Sequence, residues 1–112
     1  MITAKDIVDI YKRTGLKPSD NYRDWDNPTY PIGNVIGGCV VTAIYVDDNG
    51  IEGIDKTTNA SKMQEYCRQK LGVEESNSLE AGFCDFGEDE GTLPDYYRVG
   101  KEAAAILMPK EE

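Results

Sequence analysis

The residues with the chemistry to act are few, and the first of them is Cys39. It follows Gly37-Gly38 and opens the apolar run CVVTAIYV. If a helix starts there, the thiol lies in its first turn, where unpaired backbone N–H groups and the helix dipole favour a thiolate. The competing reading is plain packing, because cysteine is among the most buried residue types. Cys67 and Cys84 fall on or beside apolar helical faces and read as core. The three cysteines are far apart in the chain, and the chain contains no histidine. That removes the commonest general base, the commonest metal ligand and every histidine-based triad. GNVIGG lacks the lysine and the spacing of a phosphate-binding loop. No metal site, no cofactor and no catalytic set emerge, apart from the candidate reactive thiol at Cys39.

YVDDNGIEGID, residues 45–55, resembles a calcium loop. An EF-hand needs oxygen ligands at positions 1, 3 and 5, glycine at 6 and a bidentate glutamate at 12. With Gly50 at position 6, Tyr45 occupies position 1 and Lys56 position 12. With Gly53 there, Gly50 occupies position 3 and Asn59 position 12. Both registers lose ligands, and Asp-Asn-Gly is an ordinary turn signal, so a turn is expected.

Charge narrows the partners. The net charge is −9, and it is concentrated: residues 73–97 hold eight acids and no base, whereas residues 1–72 hold ten acids against nine bases. A negative field of this kind repels nucleic-acid backbones and anionic lipid, so neither nucleic acid nor membrane is an expected partner. The acidic stretch reads as a solvated face or as a patch for a basic protein. No apolar run approaches the ~20 residues that span a bilayer, and MITAKDIVDIYKR carries charges inside its apolar pattern, unlike a secretory signal. With an odd number of cysteines, these features point to one cytoplasmic domain, residues 1–112, with free thiols.

The elements that must position these residues are read from periodicity and caps. Thr3 with Asp6 forms a carboxylate capping box, and Ile2 and Ile7 occupy the positions of a hydrophobic staple. Ile7, Val8, Ile10 and Tyr11 give a helical core face that Gly15 terminates. Residues 17–38 follow, with three prolines, several Asp and Asn and a closing Gly-Gly, and read as a long loop. Tyr22, Trp25 and Tyr30 are interleaved through it. These rings either pin the loop over the core or anchor a partner, and they are the candidate binding residues. CVVTAIYV must be buried, and its β-branched content favours a strand. Ser61 with Gln64 opens a helix with Met63, Tyr66, Cys67 and Leu71 on one face, closed by Gly72. Leu79, Phe83 and Phe86 mark a short helix entered from ESNS. A last helix starts at Thr92 with Pro94 and Asp95, buries Tyr96, Val99, Ala103, Ile106 and Leu107, and ends at Pro109. Gly100 inside it costs about 1 kcal/mol against alanine and marks a close helix contact.

IYKRTGLKP, GGCVVTAI, KLGVEES, AGFCDFGED and YYRVGKEAAAIL together resemble a family of small uncharacterised bacterial proteins. In that family the cysteine segment is a helix with small residues, the later motif is nearer Gly-Phe-Asp-Gly, and the last helix carries Tyr-x-x-Gly. The resemblance covers most of the chain and implies no activity. It does imply that the Cys39 segment is helical, although Val40, Val41 and Thr42 stand where smaller helix formers belong. The expected fold is mostly α, about five short helices with a long aromatic loop after the first. The alternative is α+β with the Cys39 segment as a central strand. The expected function is a small acidic, non-enzymatic module that binds a protein partner, a second copy of the chain included. A thiol-based enzyme centred on Cys39 and an acidic mimic of nucleic acid are the alternatives.

Overall fold

In a computed structural model of the chain, residues 1–19, 24–25, 35–50, 60–84 and 93–109 are described. They hold five helices, α1 (Ala4–Thr14), α2 (Val40–Asn49), α3 (Ala60–Leu71), α4 (Val73–Cys84) and α5 (Pro94–Leu107). Three short strands lie between the first two: β1 (Lys17–Pro18), β2 (Asp24–Trp25) and β3 (Val35–Gly38). The fold is mostly α. Among the described residues no helix is long and apolar enough to cross a membrane.

The start of α1 is set by its own side chains. The Asp6 amide donates to Thr3 Oγ1 at 3.1 Å, and the Thr3 amide donates to Asp6 Oδ2 at 2.9 Å. Two of the four orphan donors of a helix start are thereby satisfied. The bond from the Thr3 amide also holds the Asp6 carboxyl below its usual value. Gly15, at φ 73°, ends the helix and returns its N–H to the Tyr11 carbonyl. Ile7, Ile10 and Tyr11 are buried, as the periodicity requires.

The segment after α1, read as a long loop, supplies three short strands among its described residues. β3 is the middle strand of a small mixed sheet, parallel to β1 and antiparallel to β2. Lys17 lies opposite Gly37 and Pro18 opposite Gly38. Gly37 permits this approach, since a Cβ there would stand 2.5 Å from the Lys17 carbonyl oxygen.

α2 is the central helix, packed against α1, α3, α4 and β3. Every residue from Val40 to Val46 is buried. The strand expected here from β-branched content is therefore corrected, and with it the α+β alternative. Strand propensity spans only about 1 kcal/mol and yields to context. A segment buried on all sides must pair its backbone groups, and a helix does so internally. The strand in this region is β3, which stops at Gly38. In the stretch expected to turn at Asp48-Asn49-Gly50, residues up to Asn49 form the last turn of α2 and Gly50, at φ 78°, caps it, while residues 51–55 lie outside the described residues.

α3 buries Met63 and Cys67, with Tyr66 and Leu71 packed beside them. It begins at Ala60, so Ser61 lies inside its first turn and is not its cap. Gly72, at φ 110°, ends α3 by donating to the Arg68 carbonyl, and its own carbonyl accepts from Ser76. One glycine thus joins two helices. α4 consequently starts at Val73, and Glu-Ser-Asn-Ser is helix interior where a helix entry was expected. Glu74 and Glu75 suit the positive end of the α4 dipole. The polar side chains find partners across helices: Ser78 Oγ accepts from the Leu93 amide at 2.7 Å, and Asn77 Oδ1 accepts from Arg68 Nε at 3.1 Å.

α5 enters through Leu93, with Pro94 in its first turn. It packs most extensively on α4, and the contact is made by glycines. A Cβ on Gly100 would overlap the Leu79 carbonyl oxygen and lie 2.8 Å from the Phe83 nitrogen. One on Gly82 would overlap the Tyr97 carbonyl oxygen and lie 2.9 Å from its carbon. The close contact expected at Gly100 is there. Ile106, expected inside, is 60% exposed, and Tyr96 is half-buried. Ala103 and Gly100 carry the buried stripe instead.

Candidate functional site

The residues with chemical potential collect where the start of α2 meets the end of α4. Cys39 is the N-cap of α2, in extended backbone conformation, and has no solvent exposure. Cys84 is the last residue of α4 and keeps 9% of its surface. The two thiols, distant in the chain, influence each other: the Cys84 side chain has the largest effect on the Cys39 thiol. Tyr11 braces this junction. Its ring stacks on Phe83 with centroids 5.9 Å apart, and its hydroxyl donates to the Gly38 carbonyl at 2.7 Å. Phe83 and Gly38 are the residues immediately before the two cysteines.

Electrostatics separates the thiols. Cys84 lowers the Cys39 thiol below its ordinary value against the opposing effect of burial. The Thr42 and Val41 amides at the helix start add to the lowering, and the Glu80 carboxylate opposes it. Cys67 behaves oppositely. It is 1% exposed, its Sγ donates to the Val41 carbonyl at 3.6 Å, and burial pushes it from 9.0 up to about 12. Glu80, taken from sequence as part of a solvated run, is buried and accepts from Gln64 Nε2 at 2.9 and 3.2 Å. Gln64, expected to cap α3, serves this carboxylate instead.

The Cys67 shift makes the fold less stable as pH rises into the alkaline range. In the unfolded chain the thiol gives up its proton near the ordinary value of 9.0, but in the fold it does so only near 12. Between these values the unfolded state binds fewer protons, so stability falls as pH rises. The expected slope from this group is at most about 1.4 kcal/mol per pH unit. Urea unfolding across that window, under reducing conditions, should show this slope in the wild type. Cys67→Ala, although less stable at neutral pH, should lose it. Equal slopes in both proteins would refute the assignment.

The candidate binding rings are placed only in part. Trp25 belongs to β2, where its backbone pairs with Val35, but its side chain, like Tyr22 and Tyr30, lies outside the described residues. Within the acidic stretch Glu74 and Asp95 are exposed, whereas Asp85, Glu88, Asp89 and Glu90 lie outside the described residues, as does Phe86. The acids of the calcium-like stretch are engaged elsewhere. Asp47 accepts from Arg13 Nε at 3.1 Å and Nη2 at 2.9 Å, tying α1 to α2. Asp48 accepts from Tyr66 Oη at 2.6 Å and Lys70 Nζ at 2.5 Å, tying α2 to α3. Among the described residues no group of three or more His, Cys, Asp or Glu could hold a metal ion.

Five helices, with α2 buried at their centre, and a small mixed sheet define a mostly α protein among the described residues. No family model, curated protein or solved structure matches the chain. The family likeness drawn from its motifs therefore brings no activity with it. Sequence reasoning missed the approach of the end of β3 to the end of α4 and the role of Glu80. The available signal was helical spacing: Glu80 and Cys84 are i and i+4, on one face of α4.

Proposed function

We propose that the protein is a small, acidic, non-enzymatic interaction module of a reducing compartment such as the cytoplasm, and that it binds a protein partner through the aromatic segment after α1. The observation that carries this reading is the attachment of that segment to the sheet through β1, β2 and β3. β1 and β3 pair in parallel, Lys17 opposite Gly37 and Pro18 opposite Gly38, and the Gly38 carbonyl accepts from both the Ser19 amide at 3.3 Å and the Tyr11 hydroxyl. Within the segment β2 pairs with β3, so its described parts are fixed to a helical body, as scaffolds position binding loops. Tyr22, Trp25 and Tyr30 fall within it, and such rings are the usual anchors of interfaces. The three free, buried cysteines suit a reducing environment. The complete burial of Cys39 favours binding over a thiol-based enzyme, because a substrate must reach the nucleophile.

Affinity capture from native lysate, with the wild type and Trp25→Ala side by side, tests the reading. An interface anchored by Trp25 and Tyr30 should survive high ionic strength and lose about 2 kcal/mol in the alanine variant, with folding unaffected. One built on Glu74, Glu75, Glu88, Asp89 and Glu90 should weaken steeply as salt screens exposed charge over about 8 Å or less. If Trp25→Ala loses stability while capture persists, the rings are core cover and the acidic stretch takes their place. Sedimentation of the purified chain distinguishes a second copy from a foreign partner.

A further inference from the structure

The stretch that resembles a calcium loop holds a different chemistry, carried by Asn49 and Gly50. Of the six asparagines in the chain, only this one precedes a glycine. The carbon of an asparagine amide is an electrophile, and the backbone nitrogen of the next residue can attack it. Glycine leaves that nitrogen unshielded and its backbone free to turn. Asn77-Ser78 is the next most open pair, but it lies inside α4, with Ser78 only 1% exposed. Asn21, Asn27, Asn34 and Asn59 precede Tyr, Pro, Val and Ala. A side chain crowds the nitrogen, and proline has no N–H to give up.

The fold pins both reacting ends. Asn49 is the last residue of α2 and is exposed. Its Nδ2 donates to the Tyr45 carbonyl at 2.9 Å, and the Gly50 N–H donates to the Val46 carbonyl at 2.7 Å. Attack requires the peptide between the two residues to rotate out of its helical setting, so both bonds must break first. Only the last turn has to open, and helix ends are among the least costly parts of a fold to open. That turn is held from two sides, by Arg13 of α1 on Asp47 and by Tyr66 and Lys70 of α3 on Asp48.

We propose that Asn49 is a site of spontaneous deamidation, gated by the last turn of α2. When the turn opens, the Gly50 nitrogen gives up its proton and attacks Asn49 Cγ. A C–N bond forms to Cγ, the bond from Cγ to Nδ2 breaks, and the departing amide takes up a proton and leaves as ammonia. The cyclic succinimide that results is opened by water at either carbonyl, to an aspartate or an isoaspartate. The balance is one water in and one ammonia out, with no oxidation or reduction. Either product adds a carboxylate beside Asp47 and Asp48 at the negative end of the α2 dipole, where it is unfavourable. The isoaspartate also lengthens the backbone by one carbon just before the Gly50 cap. The modification thus marks molecules whose central helix has opened and weakens its end further.

The test incubates the full chain at mildly alkaline pH, native in one arm and in urea in the other, and follows peptide maps by mass. In urea the peptide containing Asn49 should be the first to gain the difference between a water and an ammonia, and isoaspartyl methyltransferase should label it. In the native chain the same peptide should react about tenfold more slowly or less, with Asn77 unchanged. Replacing both Arg13→Ala and Lys70→Ala frees Asp47 and Asp48. Both side chains are exposed, so the variant should fold and deamidate about two- to fivefold faster than the native wild type, at an unchanged rate in urea. Equal rates in the two arms, another asparagine reacting first in the native chain, no gain at Asn49 in either arm, or a folded variant that reacts at the wild-type rate would each overturn the proposal. The wild-type comparison decides the matter even if the variant fails to fold.

Discussion

Gly100→Ala is expected to destabilise the protein by about 3 kcal/mol or more, at a position where helix propensity alone predicts a gain of about 1 kcal/mol. Gly100 is in the middle of α5, and an added methyl would press on the Leu79 carbonyl oxygen and the Phe83 nitrogen of α4. Both are backbone atoms of a hydrogen-bonded helix, so no side chain can turn aside to make room. The helices must separate, and the packing between them is lost with the separation. Gly82→Ala meets the Tyr97 carbonyl from the other side and should cost a similar amount. Both substitutions relieve one contact by moving the same pair of helices, so the double variant should lose less than the sum. Glu102→Ala, on the exposed face of α5, is the control and should stay within about 0.5 kcal/mol of wild type. Urea midpoints decide this. An unchanged or raised midpoint for Gly100→Ala would mean that α4 and α5 do not touch through their glycines.

Phe83→Ala is the second large effect, an expected loss of about 3–5 kcal/mol. The ring is 2% exposed and stacks flat against Tyr11, with an interplanar angle of 5°. It therefore joins α4 to α1. Truncation removes the buried ring area and leaves a cavity in a close-packed core that cannot collapse far. The same change removes the support for the Tyr11 hydroxyl on Gly38. Near-ultraviolet circular dichroism should accordingly lose tyrosine signal in the folded variant, beyond any change in its melting. Phe83→Leu keeps most of the volume and should recover most of the stability. A loss below about 1 kcal/mol for the alanine variant would show that the end of α4 is not part of the core.

The reading of individual elements follows one physical division. Features made by residues near one another in the chain were legible. Thr3 and Asp6 satisfy each other across three residues, Gly15 and Gly72 end helices through their own positive φ, and the faces of α1 and α3 follow a fixed period. Gly100 was legible for a related reason: a glycine in a helix is costly unless something requires the missing side chain. The amino-acid sequence by itself thus determined where most helices lie, which faces they bury, and that Val40 to Val46 has no solvent side.

Tertiary structure decided what depends on partners distant in the chain. Val40 to Val46 is helical because α2 is surrounded, and a helix satisfies its backbone without an edge to pair. Glu-Ser-Asn-Ser continues a helix because Ser78 and Asn77 find donors on α5 and α3, where isolated side chains of this kind compete with the backbone and favour caps. Ile106 is outside because α5 buries only the stripe that faces α4 and α1, and two glycines draw that stripe in close. The approach of the end of β3 to the end of α4 had no local signal. The Tyr11 ring touches Phe83 and its hydroxyl bonds to Gly38, a contact formed only when three separate elements have packed.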